Sequence, residues 1–118
     1  MNLDRWSNPT GKPERGCDSG GCGYYGARRN EGLGATHRGA DYLGTVGQDV
    51  FAPRTGLFSS IGYAYPNSSL RMIHISTYDG YSIGVGYASP PHIHIQIDFN
   101  GTRINPETVI PAPFQMTF

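Results

Sequence analysis

The chain has 118 residues, no net charge at neutral pH, 15% charged residues, 17 glycines, 9 prolines and 8 tyrosines. That length suits one domain with a single core. The balanced, stripe-free charge argues against a nucleic-acid partner, and no apolar run reaches membrane-spanning length, so no membrane span is expected.

Residues 1–16 carry Pro9, Gly11, Pro13 and Gly16 and read as an irregular N-terminal arm, with Trp6 placed to pin it to the body. The first ten residues are polar, with Asp4 and Arg5 and no apolar centre, so no export signal is expected in them. Cys17 and Cys22 are the only cysteines. A small disulfide loop is the favoured reading, since Ser19, Gly20 and Gly21 supply the flexibility a tight ring needs. Two thiolate ligands to zinc would lack a second Cys pair, and the spacing differs from that of a C-x-x-C redox pair. From Gly23 to Thr36 the sequence reads as a long loop. Its Tyr24, Tyr25, Arg28 and Arg29 could wall a substrate groove or simply cover the sheet.

After His37-Arg38-Gly39-Ala40-Asp41, the residues Tyr42, Leu43, Val46, Val50 and Phe51 are expected to continue the core. Residues 56–65 read as a strand, 67–69 as a turn, and 71–76 as a strand with Met72, His74 and Ser76 on one face. His74 reads as a hydrogen-bonded strand histidine near the groove. Asp79-Gly80 signals a hairpin, residues 81–87 another strand, and Pro90-Pro91 deliver a strand over 92–97. Residues 98–103 read as a hairpin turn, and Asn105-Pro106-Glu107 as a stop or short helical turn. Asn67 and Asn100 begin glycosylation-type triplets, a pattern that is common by chance. Short β-branched and aromatic runs separated by Gly and Pro predict a mainly β fold.

The chemistry concentrates at His92-Ile93-His94-Ile95-Gln96-Ile97. Strand side chains alternate, so His92 and His94 leave one face while Ile93, Ile95 and Ile97 leave the other for the core. Asp41 lies four positions after His37. Zinc accepts imidazole nitrogen and carboxylate oxygen, and its catalytic sites hold three protein ligands. His37, Asp41 and one of His92 or His94 would make that set.

A His-x3-Asp motif followed by His-x-His on a strand resembles the zinc metallopeptidases of the lysostaphin and LytM type, peptidase family M23. Residues 47–56, Gly47-Gln48-Asp49-Val50-Phe51-Ala52-Pro53-Arg54-Thr55-Gly56, resemble that family's strand-turn segment, and 100–106, ending Ile104-Asn105-Pro106, its closing segment. The stretch 17–25 and the Ala52-Pro53-x-Thr55-Gly56 motif are similar to the secreted chemotaxin-2-type domains of this fold. The resemblance implies an antiparallel lysostaphin-type (duplicated hybrid motif-like) fold over 17–111, with a tail at 112–118. It implies a disulfide between Cys17 and Cys22 and Zn2+ held by His37, Asp41 and His94, with His92 as the catalytic histidine beside the bound water. The implied activity is hydrolysis of peptide cross-links in bacterial peptidoglycan by a secreted or periplasmic enzyme. One departure stands out. The peptidases' Y-x-H-L strand, with a second catalytic histidine, is absent between Asp79 and His92, so the fold is shortened by about one hairpin. That favours the alternative implied by the chemotaxin-type domains: an inactive, secreted zinc-binding module that recognises a glycan, peptide or receptor. The three-ligand set with His92 alongside tips the expectation towards the peptidase.

Overall fold

In the computed structural model, residues 3–18, 21–28, 36–63, 71–88 and 91–113 are described. Among them the strands are β1 (Cys17–Asp18), β2 (Gly21–Cys22), β3 (Ala40–Leu43), β4 (Leu57–Tyr63), β5 (Arg71–Ser76), β6 (Tyr81–Ala88), β7 (His92–Phe99) and β8 (Thr102–Ile104). Among the described residues, helix is confined to a 3-10 turn at Pro106–Thr108, started by Pro106 and capped by the Asn105 side chain. None of these elements is a helix long and apolar enough to cross a membrane.

The main sheet is antiparallel in the order β3-β7-β6-β5-β4. β7 is its centre: β3 pairs along the first half of one edge, β8 along the second half, and β6 along the whole of the other. Two turns set this register. Asn100 (φ 49°) and Gly101 (φ 86°) both occupy the left-handed region that a two-residue β7–β8 hairpin demands. The β5–β6 hairpin closes through Thr77 to Gly80, with Gly80 at φ 99°.

Residues paired across an antiparallel ladder share a face. On the core face, Ile93, Ile95 and Ile97 pack with Ala40, Tyr42, Ile75 and Ile83, all buried. Trp6 and Tyr81 lie edge to face at 4.9 Å over this cluster. Arg54, only 2% exposed, sits 5.1 Å from the Trp6 ring centroid and donates to the Leu3 carbonyl and to Asp79. It thereby ties the N-terminal segment to the β5–β6 turn.

The core does not extend where the sequence suggested. Of the residues expected to continue it after Asp41, Tyr42 is buried, but Leu43, Val46, Val50 and Phe51 are all exposed. Leu43 is paired with His92 and so faces away from the core. Residues 44–51 form an irregular crossing positioned by polar contacts, Gln48 Nε2 to the Thr10 carbonyl and the Phe51 amide to the Pro9 carbonyl. On the core face at the far edge, Phe58, Ile61 and Ile73 also remain exposed.

Candidate metal centre

The β3–β7 register places Asp41 directly across from His94 and Leu43 across from His92. His94 and His92 therefore leave the face opposite the isoleucines, as the alternation requires. His37 is brought to the same point by two backbone bonds, its amide to the Ala27 carbonyl and its own carbonyl from the Gly26 amide. Gly39 permits the approach. A Cβ there would lie 2.4 Å from the Ile95 carbonyl oxygen and 2.6 Å from the His94 ring.

The three side chains meet in a buried triangle. His94 Nδ1 is 2.8 Å from Asp41 Oδ1, His37 Nε2 is 3.3 Å from the same oxygen, and the two ring nitrogens are 3.0 Å apart. His37, Asp41 and His94 are 8%, 2% and 7% exposed. The outer ring nitrogens decide what the inner ones can do. His37 Nδ1 lies 3.0 Å from the Tyr24 carbonyl, and His94 Nε2 lies 2.8 Å from Gln96 Oε1. The Tyr24 carbonyl only accepts and Gln96 presents its carbonyl oxygen, so this arrangement assigns the proton of each neutral ring to its outer nitrogen. In the neutral rings the inner nitrogens are then lone pairs. Two lone pairs and a carboxylate oxygen at these distances repel one another unless a proton or a metal ion lies between them.

This donor set fits a divalent metal such as zinc. Tetrahedral coordination at roughly 2.0–2.2 Å puts ligand atoms about 3.3–3.6 Å apart, so the 2.8 and 3.0 Å sides of the triangle need to open by roughly 0.3–0.8 Å. Acceptors on the outer nitrogens are what metal-bound imidazoles usually have. Without an ion, a proton on the rings takes that place: burial pushes the Asp41 carboxyl up, but hydrogen bonds and positive charge from protonated His37 and His94 outweigh it and hold the group well below the usual carboxylate range.

His92, also buried, places Nε2 3.6 Å from the second oxygen, Asp41 Oδ2. It lines a cavity of about 260 Å³ together with Val46, Val50, Tyr87 and Ile93. His74 sits elsewhere. It pairs with Gly84, which in turn pairs with Gln96, so two strand spacings, about 10 Å, separate its backbone from β7. Its half-buried ring lies against Gly62 and Gly84, and its carbonyl accepts from Ser59 Oγ at 3.0 Å. Tyr24 contributes its carbonyl to His37, and its side chain is exposed. Arg29 and Asn67 lie outside the described residues. Cys17 and Cys22 form a disulfide, as expected.

Two contributors were missed by sequence reasoning. Gln96 lies two positions beyond His94, so the same alternation that paired the histidines would have put it on their face. Arg15, whose guanidinium lies 3.1 Å from Asp41 Oδ2, had no comparable signal, because the two residues are 26 positions apart in the sequence and no local rule links them.

No known protein-family model matches the chain. It is 48% identical over 52 residues to Myeloid protein 1 of Gallus gallus, a match covering 44% of this chain and 16% of that protein. It is 42% identical over 55 residues to Leukocyte cell-derived chemotaxin-2 of Bos taurus, covering 47% of this chain and 34% of that protein. The chain thus spans about a sixth and a third of these relatives. It is similar to chemotaxin-2-type and myeloid-type proteins over about 50 residues, and that similarity stops short of membership of the M23 peptidases.

Proposed function

We propose that this chain is an extracellular, metal-binding recognition domain of the chemotaxin-2 type, with Zn2+ held by His37, Asp41 and His94. The observation that carries the metal is the buried triangle of His37, Asp41 and His94 ligand atoms, with an acceptor facing the outer nitrogen of each imidazole. The likeness to a chemotaxin and the disulfide support placement outside the reducing cytosol. In this reading the ion ties the segment before β3 to the centre of the sheet and stabilises a surface that recognises a glycan, peptide or receptor. Metal binding then contributes directly to folding stability.

A second reading, hydrolysis of peptidoglycan cross-links in the manner of M23 peptidases, draws on His92. Its ring lies beside Asp41 and at the wall of a cavity that could take a small side chain. There it could hold or pass a proton while the substrate carbonyl is oriented nearby. A bound zinc ion would supply Lewis-acid polarisation. The absence of the Y-x-H-L histidine and the position of His74 across β6 argue for recognition over catalysis.

One experiment separates the readings. Zinc content is measured in the dialysed wild-type, Asp41→Ala and His94→Ala proteins, and each is added to purified peptidoglycan sacculi. One equivalent in the wild type, none in the variants and unchanged turbidity are expected. Turbidity loss that a chelator stops would replace the proposal with the peptidase reading. Wild-type protein without zinc would overturn both.

A further inference from the structure

The Asp41 carboxylate is gripped from the side away from the histidines. Arg15, 8% exposed, directs one guanidinium nitrogen to Asp41 Oδ2 at 3.1 Å. The other terminal nitrogen donates to Asp18 Oδ1 at 2.7 Å and to the Gly21 carbonyl at 2.9 Å. Asp18 and Gly21 pair with each other inside the ring closed by Cys17 and Cys22. The backbones are tied as well: the Arg15 amide donates to the Asp41 carbonyl, and the Asp41 amide to the Gly23 carbonyl. Gly23 lets these segments close up, since a Cβ there would lie 2.5 Å from the Arg15 carbonyl oxygen and 3.2 Å from the Asp41 side chain.

We propose that Arg15 is a positioning residue that fixes which oxygen Asp41 offers to the metal, and that the disulfide ring is the anchor against which Arg15 is held. This rests on the metal role proposed above for His37, Asp41 and His94. A guanidinium is a planar fork, and here its two ends are bonded to different bodies, the ring and the carboxylate. Oδ2 is engaged by Arg15, with His92 3.6 Å away, which leaves Oδ1 for the triangle. The carboxylate then ligates through one oxygen, with its plane fixed before any ion arrives. Opening the ring would free Asp18 and Gly21, and through Arg15 would loosen Asp41.

The test compares wild type, Arg15→Lys, Cys17→Ser/Cys22→Ser and the triple variant. Zinc affinity is measured by competition with a chromophoric chelator, and the visible spectrum is recorded after loading with cobalt. Lysine keeps the charge but loses the fork, so Arg15→Lys should bind zinc about 10-fold or more weakly. Its cobalt bands should lose intensity as the second carboxylate oxygen becomes free to coordinate. The serine pair should weaken binding in the same direction, and the triple variant should be no weaker than the worse parent, because both changes cut one path. Asp18→Ala, which leaves the Arg15–Asp41 contact in place, covers the case that Arg15→Lys does not fold; a few-fold loss is expected. Wild-type affinity and spectrum in Arg15→Lys, no loss in Asp18→Ala, or losses that simply multiply in the triple variant would overturn the inference alone. Wild-type protein that binds neither zinc nor cobalt would remove the metal reading beneath it.

Discussion

Gly39→Ala is the smallest change that should dismantle the proposed centre. The added methyl would lie 2.4 Å from the Ile95 carbonyl oxygen and 2.6 and 2.8 Å from two atoms of the His94 ring. Ordinary contacts are about 3.5–4 Å, so roughly 1 Å of movement is required. The nearest obstacle is backbone in the central strand, which cannot turn aside as a flexible side chain would. Overpacking typically costs 1–3 kcal/mol, and the upper part of that range, about 2–3 kcal/mol, is expected here. For a domain of this size that is a loss of roughly 6–15 °C in Tm. The backbone clash is independent of metal, so the loss should persist in chelator. Displacement of the His94 ring should in addition weaken zinc binding at least 10-fold. Gly44→Ala is the matched control, because its methyl would meet nothing closer than 3.9 Å. Thermal unfolding with and without zinc, together with chelator competition, reads both effects. A Gly39→Ala protein with the Tm and zinc affinity of Gly44→Ala would refute the close approach of Gly39 to Ile95 and the His94 ring.

Zinc at 100 times its Kd should stabilise the wild type by about 2.7 kcal/mol and the Asp41→Ala protein by almost nothing, a difference that denaturant titration would detect. Glu14 has a buried Oε1 with no partner among the described residues. Burial first, then the charge and hydrogen bond of Glu107 and the charge of Asp41, push its carboxyl up to about 7. The folded state therefore keeps a proton that the unfolded state releases, and stability falls as pH rises from about 4.5 to 7. Glu14→Gln should remove that part of the pH slope and stabilise the protein above pH 7 by about 1 kcal/mol after allowance for solvent screening; an unchanged slope in urea titrations at pH 5 and 8 would count against it. Arg54→Ala should cost about 2–4 kcal/mol, since it removes the group between Trp6, Tyr81 and Asp79, and near-native stability would show that the N-terminal segment is held by other contacts.

Much of the site was legible in the chain because strand geometry is a local rule. Alternation alone put His92 and His94 on one face and three isoleucines on the other, and the two left-handed turn positions at Asn100 and Gly101 could be read from the Asn-Gly pair. The short ring between Cys17 and Cys22 was equally local. What the sequence could not contain was register between distant strands. Only the pairing of β3 with β7 sets Asp41 against His94, and only the path of residues 13–16 along β3 brings Arg15 onto Asp41. The same limit explains the misjudged core. Leu43, Val46, Val50 and Phe51 are apolar enough to bury, yet whether anything lies over them depends on the position of the crossing segment relative to the sheet. Residue type and spacing determined the strands, the turns and the ligand chemistry, because those follow from φ, ψ and periodicity. The tertiary structure alone decided which oxygen of Asp41 faces the histidines, which acceptors face the outer ring nitrogens, and where the core ends, because each depends on neighbours brought from elsewhere in the chain.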